Sequence, residues 1–276
     1  MDNKNSILLV DQEFDPNTTA NCDLLLKITA DSFSYAIIDK SSDQLKAVYD
    51  EQECENVSQT LADRLKNDIY LTLIFKEIKI AVHTENNINI PSELFDPQQL
   101  AQYARFFTEE QSENLYTRPF PAFGFTSIFT LQQFTEETLS ASLNNYKLYT
   151  QHSTVLALAA KSDTATLLLD FTAASFNAAY IINDKLIFQN HYQIENAEEF
   201  NYYLLLIISQ LQLEPGNTEL QLSGIIHEGN NHYRCIEKYF KTICFNLPPV
   251  KETDHSILDD MPAHYYSSLL ALDVCE

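Results

Sequence analysis

Short apolar runs alternate with amphipathic stretches along the chain, and most runs have the length of a strand. Leu24-Leu25-Leu26-Lys27-Ile28 is continuous enough for a strand buried on both faces. Phe33 to Asp39 is rich in strand-forming residues, and Leu45 to Tyr49 alternates. The polar breaks at Ala30-Asp31-Ser32 and Lys40 to Asp43 turn these three strands into an antiparallel meander. Val57, Leu61 and Leu65 then recur at helical spacing, behind an acidic first turn at Glu51, Glu53 and Glu55. Strands are predicted at Ile69 to Phe75, Ile78 to His83, Thr126 to Leu131 and Lys147 to Gln151. Helices are predicted from Asp96-Pro97 through Phe107, from Thr135 to about Asn144, and from Ser153 to Ala160.

The pattern then restarts. Leu167-Leu168-Leu169-Asp170-Phe171 is again a buried-strand run, followed by strands at Phe176 to Ile182 and Lys185 to His191. Asn196-Ala197-Glu198-Glu199 has capping-box spacing and opens a helix from Phe200 to Leu213, which Pro215-Gly216 stops. A strand at Thr218 to Leu222, a helix at Asn230 to Phe240, a strand at Thr242 to Phe245 and a closing helix at 263–274 complete the chain.

This restart is an internal repeat. Leu24 to Asp39 reads LLLKITADSFSYAIID, and Leu167 to Ile182 reads LLLDFTAASFNAAYII, without a gap. The shared Thr29/Thr172, Ala30/Ala173, Ser32/Ser175 and Phe33/Phe176 are the turn itself, which shared apolar composition does not explain. Two βββαβα halves follow: a polar tail at 1–20, a first lobe at 21–160 with an insertion near 69–116, and a second lobe at 161–276. Mixed sheets covered by helices, with a cleft between the lobes, are the expected α/β architecture.

A duplicated βββαβα unit headed by a strand–turn–strand resembles the actin, sugar-kinase and heat-shock ATPase superfamily, a ribonuclease-H-like architecture. Within it, the sequence resembles the type IV pilus assembly protein PilM and the cell-division protein FtsA. The likeness rests on Leu167-Leu168-Leu169-Asp170-Phe171-Thr172, on the hairpin Asn183-Asp184-Lys185-Leu186-Ile187-Phe188, and on Tyr146 to Thr150 with Val155 to Leu158. Length, polar head and glycine scarcity resemble a domain-of-unknown-function family regarded as a diverged member of this fold. The resemblance implies that an Asp-x-Gly turn in each half holds phosphates and a metal-bound water, while a Gly-Gly pair admits adenosine. Glycine serves there because it tolerates positive φ and close approach.

Only 4 of the 276 residues are glycine, and the scarcity falls on those turns. The first turn reads Lys27-Ile28-Thr29, with a cation where the superfamily has a carboxylate. The second, Asp170-Phe171-Thr172, keeps the carboxylate without the glycine. The adenosine motif falls at Leu222-Ser223-Gly224-Ile225-Ile226 with a single glycine. If nucleotide binding survives, the resemblance implies Asp170, Thr172, Ser175, Lys27, Thr29 and Gly224 as its residues. The expectation is a non-catalytic interaction or scaffold protein on a degenerate ATPase fold, with no cofactor. The alternative is a protein that binds Mg-ATP with little or no hydrolysis.

Charge narrows the partners. Thirty-nine Asp and Glu against 17 Lys and Arg give a formal −22, which repels nucleic acid and anionic membranes and suits a basic protein partner. No apolar run is long enough to span a membrane, and no secretory signal opens the chain. The 5 scattered cysteines, with no CxxC pair, fit reduced thiols in a bacterial cytoplasm. Arg118-Pro119-Phe120-Pro121-Ala122-Phe123-Gly124-Phe125 is a stiff aromatic segment, so Phe120, Phe123 and Phe125 are candidate protein-binding anchors, or a connector covering the core. His227-Glu228 and His232 sit in a polar loop at no standard metal-ligand spacing. Glu109-Glu110, Glu136-Glu137, Glu198-Glu199 and Asp259-Asp260 read as helix starts or solvated faces. No catalytic residue and no metal ligand is expected.

Overall fold

The computed structural model describes residues 5–107, 113–159, 165–247 and 253–275. Glu109-Glu110 lies outside them. The first half runs β1 (Ser6–Val10), β2 (Cys22–Ile28), β3 (Phe33–Asp39), β4 (Gln44–Glu51), α1 (Val57–Asn67) and β5 (Glu77–Val82). An excursion follows, through β6 (Asn87–Pro91), α2 (Leu100–Tyr103), β7 (Tyr116–Phe120) and β8 (Phe125–Phe129). The chain returns by α3 (Gln133–Ser142), β9 (Tyr146–Thr150) and α4 (Gln151–Ala157). The second half runs β10 (Thr166–Phe171), β11 (Ser175–Ile182), β12 (Lys185–Gln193), α5 (Ala197–Gln210), β13 (Glu219–Gly224), α6 (Asn231–Ile236), β14 (Thr242–Phe245) and α7 (Ser267–Leu270).

Each half builds a mixed sheet, in the order β1-β4-β3-β2-β5-β9 for the first and β12-β11-β10-β13-β14 for the second. The meanders are antiparallel, and β5, β9, β13 and β14 join by parallel pairing. The repeat holds register for register. Leu24 pairs Ile37 as Leu167 pairs Tyr180. Both meanders slip by a bulge at the equivalent place, between Ile37 and Ile38 and between Tyr180 and Ile181. The two turns close alike, Thr29 N donating to Ser32 O at 3.0 Å and Thr172 N to Ser175 O at 2.9 Å.

The strand period sorts the side chains. Leu24, Leu26 and Ile28 enter the first lobe's core with Leu61, Leu65 and Leu139 of the covering helices. Leu167, Leu169 and Phe171 do the same in the second lobe with Phe200, Leu204 and Ile207. The opposite faces of β2 and β10 carry Leu25 and Lys27, and Leu168 and Asp170. Leu25 packs on Tyr266, Leu269 and Leu270, which come back from the second half to cover the first. Leu168 packs on Val155 and Leu156 of α4. Lys27 and Asp170 therefore share the interior between the lobes. Lys79 Nζ pins the returning segment by donating to the carbonyls of Asp273 and Cys275, at 2.7 and 2.8 Å.

Several expectations need correction. The stretch read as a polar tail at 1–20 supplies β1, which adds to the edge of the first sheet through Ile7 to Val10. Ile69 to Phe75 forms turns, not a strand, and leaves Ile69 and Ile74 exposed. Asn56, not the acidic run, caps α1, and Glu51 ends β4 in an ion pair with Arg64 at 3.0 Å. The excursion is a separate three-stranded sheet, β6-β8-β7, so it takes in the Thr126 strand and extends past the expected end near 116. The predicted helices near 96–107 and 263–274 break into short α and 3-10 turns, and the one at 230–240 shortens to Asn231–Ile236.

Candidate functional site

The two repeated turns meet at the centre of the molecule, and their side chains bond to each other. Lys27 Nζ donates to Asp170 Oδ2 at 2.8 Å and to Ser268 Oγ at 2.5 Å. Asp170 is fully buried, and its other oxygen accepts from Ser223 Oγ at 2.7 Å. The Lys27–Asp170 pair joins equivalent positions of the repeat.

A second contact crosses the same pseudo-symmetry. Asp31 Oδ2 accepts from Thr172 Oγ1 at 2.6 Å and from Ala174 N at 2.9 Å, while its Oδ1 accepts from Thr29 Oγ1 at 2.8 Å. Ala173 N donates to Gln52 Oε1 at 3.1 Å. Two consecutive amides of the second turn are thus satisfied by oxygens of the first lobe. Within each turn the hydroxyls pair, Thr29 with Ser32 and Thr172 with Ser175, both at 2.7 Å. A threonine at the glycine position builds the turn from its own hydroxyl, as an ST-turn does: Asp31 N and Ser32 N both donate to Thr29 Oγ1.

Gly224 has φ +79°, and a Cβ there would overlap the Phe171 backbone, so β10 and β13 need this glycine to lie together. Its amide donates to His264 O at 3.0 Å, and the His264 ring bonds Ile226 O at 2.6 Å while stacking on Phe245. The structure thus brings together five expected residues, Lys27, Thr29, Asp170, Thr172 and Ser175, and sets Gly224 at the end of the adjoining strand. Sequence reading missed Asp31, Ser223 and Ser268. The signal that could have found Asp31 is that it is the one carboxylate in the repeated turn, Thr29-Ala30-Asp31-Ser32, where the second copy has Ala174.

Beside the turns lies a cavity of about 780 Å³, walled by His83, His152, Glu85, β6 and β12. The His83 and His191 rings lie 4.3 Å apart, each fixed by an amide, Gln151 for His83 and Asn177 for His191. Burial, with repulsion from the neighbouring imidazoles, pushes His152 down to about 3 and His191 to about 4. His83 is lowered mainly by burial. All three favour the neutral ring at neutral pH. No signal in the sequence placed these three residues together.

Other candidates fall elsewhere. Phe125 is buried in a core with Val155, Leu156 and Leu168, and the Phe120 ring lies tilted against it at 4.9 Å. Phe120 and Phe123 line an apolar hollow of about 220 Å³ with Tyr149 and Leu156. His232 packs edge-on against Phe200, whereas His227 is exposed. Glu136 is buried and accepts from Tyr116 OH and Asn114 Nδ2. Glu198 and Glu199 open α5 under an Asn196 cap, as expected. All five cysteines are free. Among the described residues no helix is long and apolar enough to cross a membrane.

The sequence matches, over residues 11–243, the family described as a protein of unknown function, DUF3822. The chain belongs to the DUF3822 family. No curated protein matches it by sequence. Among solved structures it is similar to a Bacteroides thetaiotaomicron protein with an actin-like ATPase fold and unknown function. That likeness has a TM-score of 0.77 at 16% identity, over 95% of this chain and 99% of that one. It is also similar to the PilM–PilN type IV pilus biogenesis complex, with TM-score 0.60, 14% identity, and 91% and 97% coverage. A third is the ethanolamine utilization protein EutJ of Carboxydothermus hydrogenoformans, with TM-score 0.52, 7% identity, and 97% and 93% coverage. This DUF3822 chain therefore has the actin-like ATPase fold.

Proposed function

We propose that this protein is a non-catalytic interaction protein of the bacterial cytoplasm that uses the ATPase fold as a scaffold. One observation carries the reading: the groups that a phosphate and its metal would need are held by the chain itself. The Asp31 carboxylate sits on the amide and hydroxyls of the second turn, where an anionic phosphate would accept. The Lys27 ammonium sits on Asp170, where a cation would bind. Binding Mg-ATP here would first require separating a buried ion pair and uncapping two amides, each step costing free energy. The residues present do not fit a metal–nucleotide.

Two further points support the interaction role. PilM, a fold relative, was solved in complex with another protein, PilN. The formal −22 gives this chain a surface that favours a basic partner and speeds its encounter. Calorimetry with Mg-ATP tests the reading. The expected result is no binding below millimolar concentration. Micromolar binding that disappears in Asp170→Ala would replace this function with nucleotide sensing.

A further inference from the structure

The cavity beside the turns holds an unusual concentration of unmet hydrogen-bonding capacity. In its wall His152 Nε2, Gln189 Oε1 and His191 Nε2 are buried and find no partner among the described residues, and Gln151 Nε2 and Asn177 Nδ2, on the side chains that bond His83 and His191, are likewise unpaired. Buried polar atoms are nearly always paired, and leaving one unpaired costs about 1–3 kcal/mol. Three of them in the wall of one cavity, with two more on the residues that hold its imidazoles, mark a place built to be filled by a polar ligand.

The shape of the space narrows the ligand. β12 is the edge of the second sheet and β6 an edge of the small sheet. Residues 189–193 of β12 all line the cavity. Residues 185–189 all line its continuation, a hollow of about 740 Å³ that reaches Asn89 and Pro91 of β6. Consecutive residues point to alternate faces, so a wall made of every residue in turn is a strand edge, not a strand face. Natural edges are usually guarded by proline or inward charge. Within β12 the sequence Leu186 to Gln193 has neither.

Charge narrows it again. Glu85, Glu195 and Glu199 line the cavity, and among the described residues no Lys or Arg does. The continuation is lined by one residue of each sign, Glu93 and Lys185.

We propose that the groove between β6 and β12 receives an extended, basic segment of a protein partner, which adds as a strand to the β12 edge and directs a Lys or Arg side chain toward Glu85 and Glu195. The inference rests on the interaction role proposed above and names where the partner docks. Main-chain pairing supplies the affinity, and the acidic wall with its unpaired amides and imidazoles supplies the choice of side chain.

The test uses the full chain and synthetic peptides of alternating lysine and valine. Fluorescence polarisation measures binding, and hydrogen–deuterium exchange maps it. The expected result is binding with new amide protection in β12. Methylating alternate peptide nitrogens on one edge should weaken it by about tenfold, and on the other edge leave it unchanged, because only one edge pairs. Glu85→Gln with Glu195→Gln should also weaken binding by about tenfold, and a glutamate–valine peptide should not bind. No binding, binding indifferent to which edge is methylated, or protection away from β12 would overturn the proposal while leaving the interaction role standing. That role fails separately, through Mg-ATP calorimetry.

Discussion

Lys27→Met is the most informative single perturbation of the closed turns. It leaves the fully buried Asp170 carboxylate, among the described residues, with the Ser223 hydroxyl as its partner. Removing one member of a buried pair costs about 3–5 kcal/mol, because the remaining charge stays desolvated. Asp170→Leu is expected to cost a similar amount, since it strands the buried Lys27 ammonium on Ser268. The double variant Lys27→Met/Asp170→Leu removes both charges, with methionine close to lysine in size and leucine keeping the branched shape of aspartate, so its cost should be about 0–2 kcal/mol. The two single effects are therefore strongly non-additive, with a coupling energy of several kcal/mol. Urea unfolding of the four proteins, compared at constant m-value, gives the cycle. Additive single effects below about 1 kcal/mol would mean a solvent-screened pair, and turns that stand open rather than closed on each other.

Three further outcomes follow from the geometry. Asp31→Ala removes the acceptor of Thr172 Oγ1 and Ala174 N, so urea unfolding should show a loss of about 2–4 kcal/mol, with Asp31→Asn losing less. Gly224→Ala should prevent normal folding or cost more than about 3 kcal/mol, whereas Gly229→Ala, at φ +84° with open space around it, should cost about 1 kcal/mol; thermal melts compare the two. His152 and His191 are held well below the ordinary imidazole value, so protons bind the unfolded chain first as pH falls below about 6.5. Stability is then fully present above pH 6.5 and falls toward pH 4 by up to about 1.4 kcal/mol per pH unit per histidine, a slope that His152→Gln with His191→Gln should flatten.

The fold was legible because the repeat was written into local pattern. The runs at Leu24 and Leu167 have the same length, the same turn residues and the same following order, and pairing kept that register down to the bulge. The apolar head at Ile7 to Val10 was harder to place. An edge strand buries little, so its sequence looks like a tail until a neighbour is known. The short helices at the end of the chain were overestimated, because the apolar stripe from 263 to 274 serves two cores at once and turns in 3-10 steps to do so. At the site, the altered residues were readable but their partners were not. Lys27 was recognised as a cation in the place of a carboxylate. That it bonds Asp170 depends on the two lobes closing, a contact between residues 143 apart. The three histidines come from β5's end, α4 and β12, and nothing in the one-dimensional pattern joins them.

The central claim is that the turns are closed by the chain's own ions and leave no site for a nucleotide. Scanning calorimetry of the full chain with and without millimolar Mg-ATP tests it most directly, since any ligand of the folded state must raise its stability. The unfolding temperature should be the same in both. A ligand present at a hundred to a thousand times its dissociation constant would add about 3–4 kcal/mol and raise the midpoint by several degrees, a result that would contradict the account.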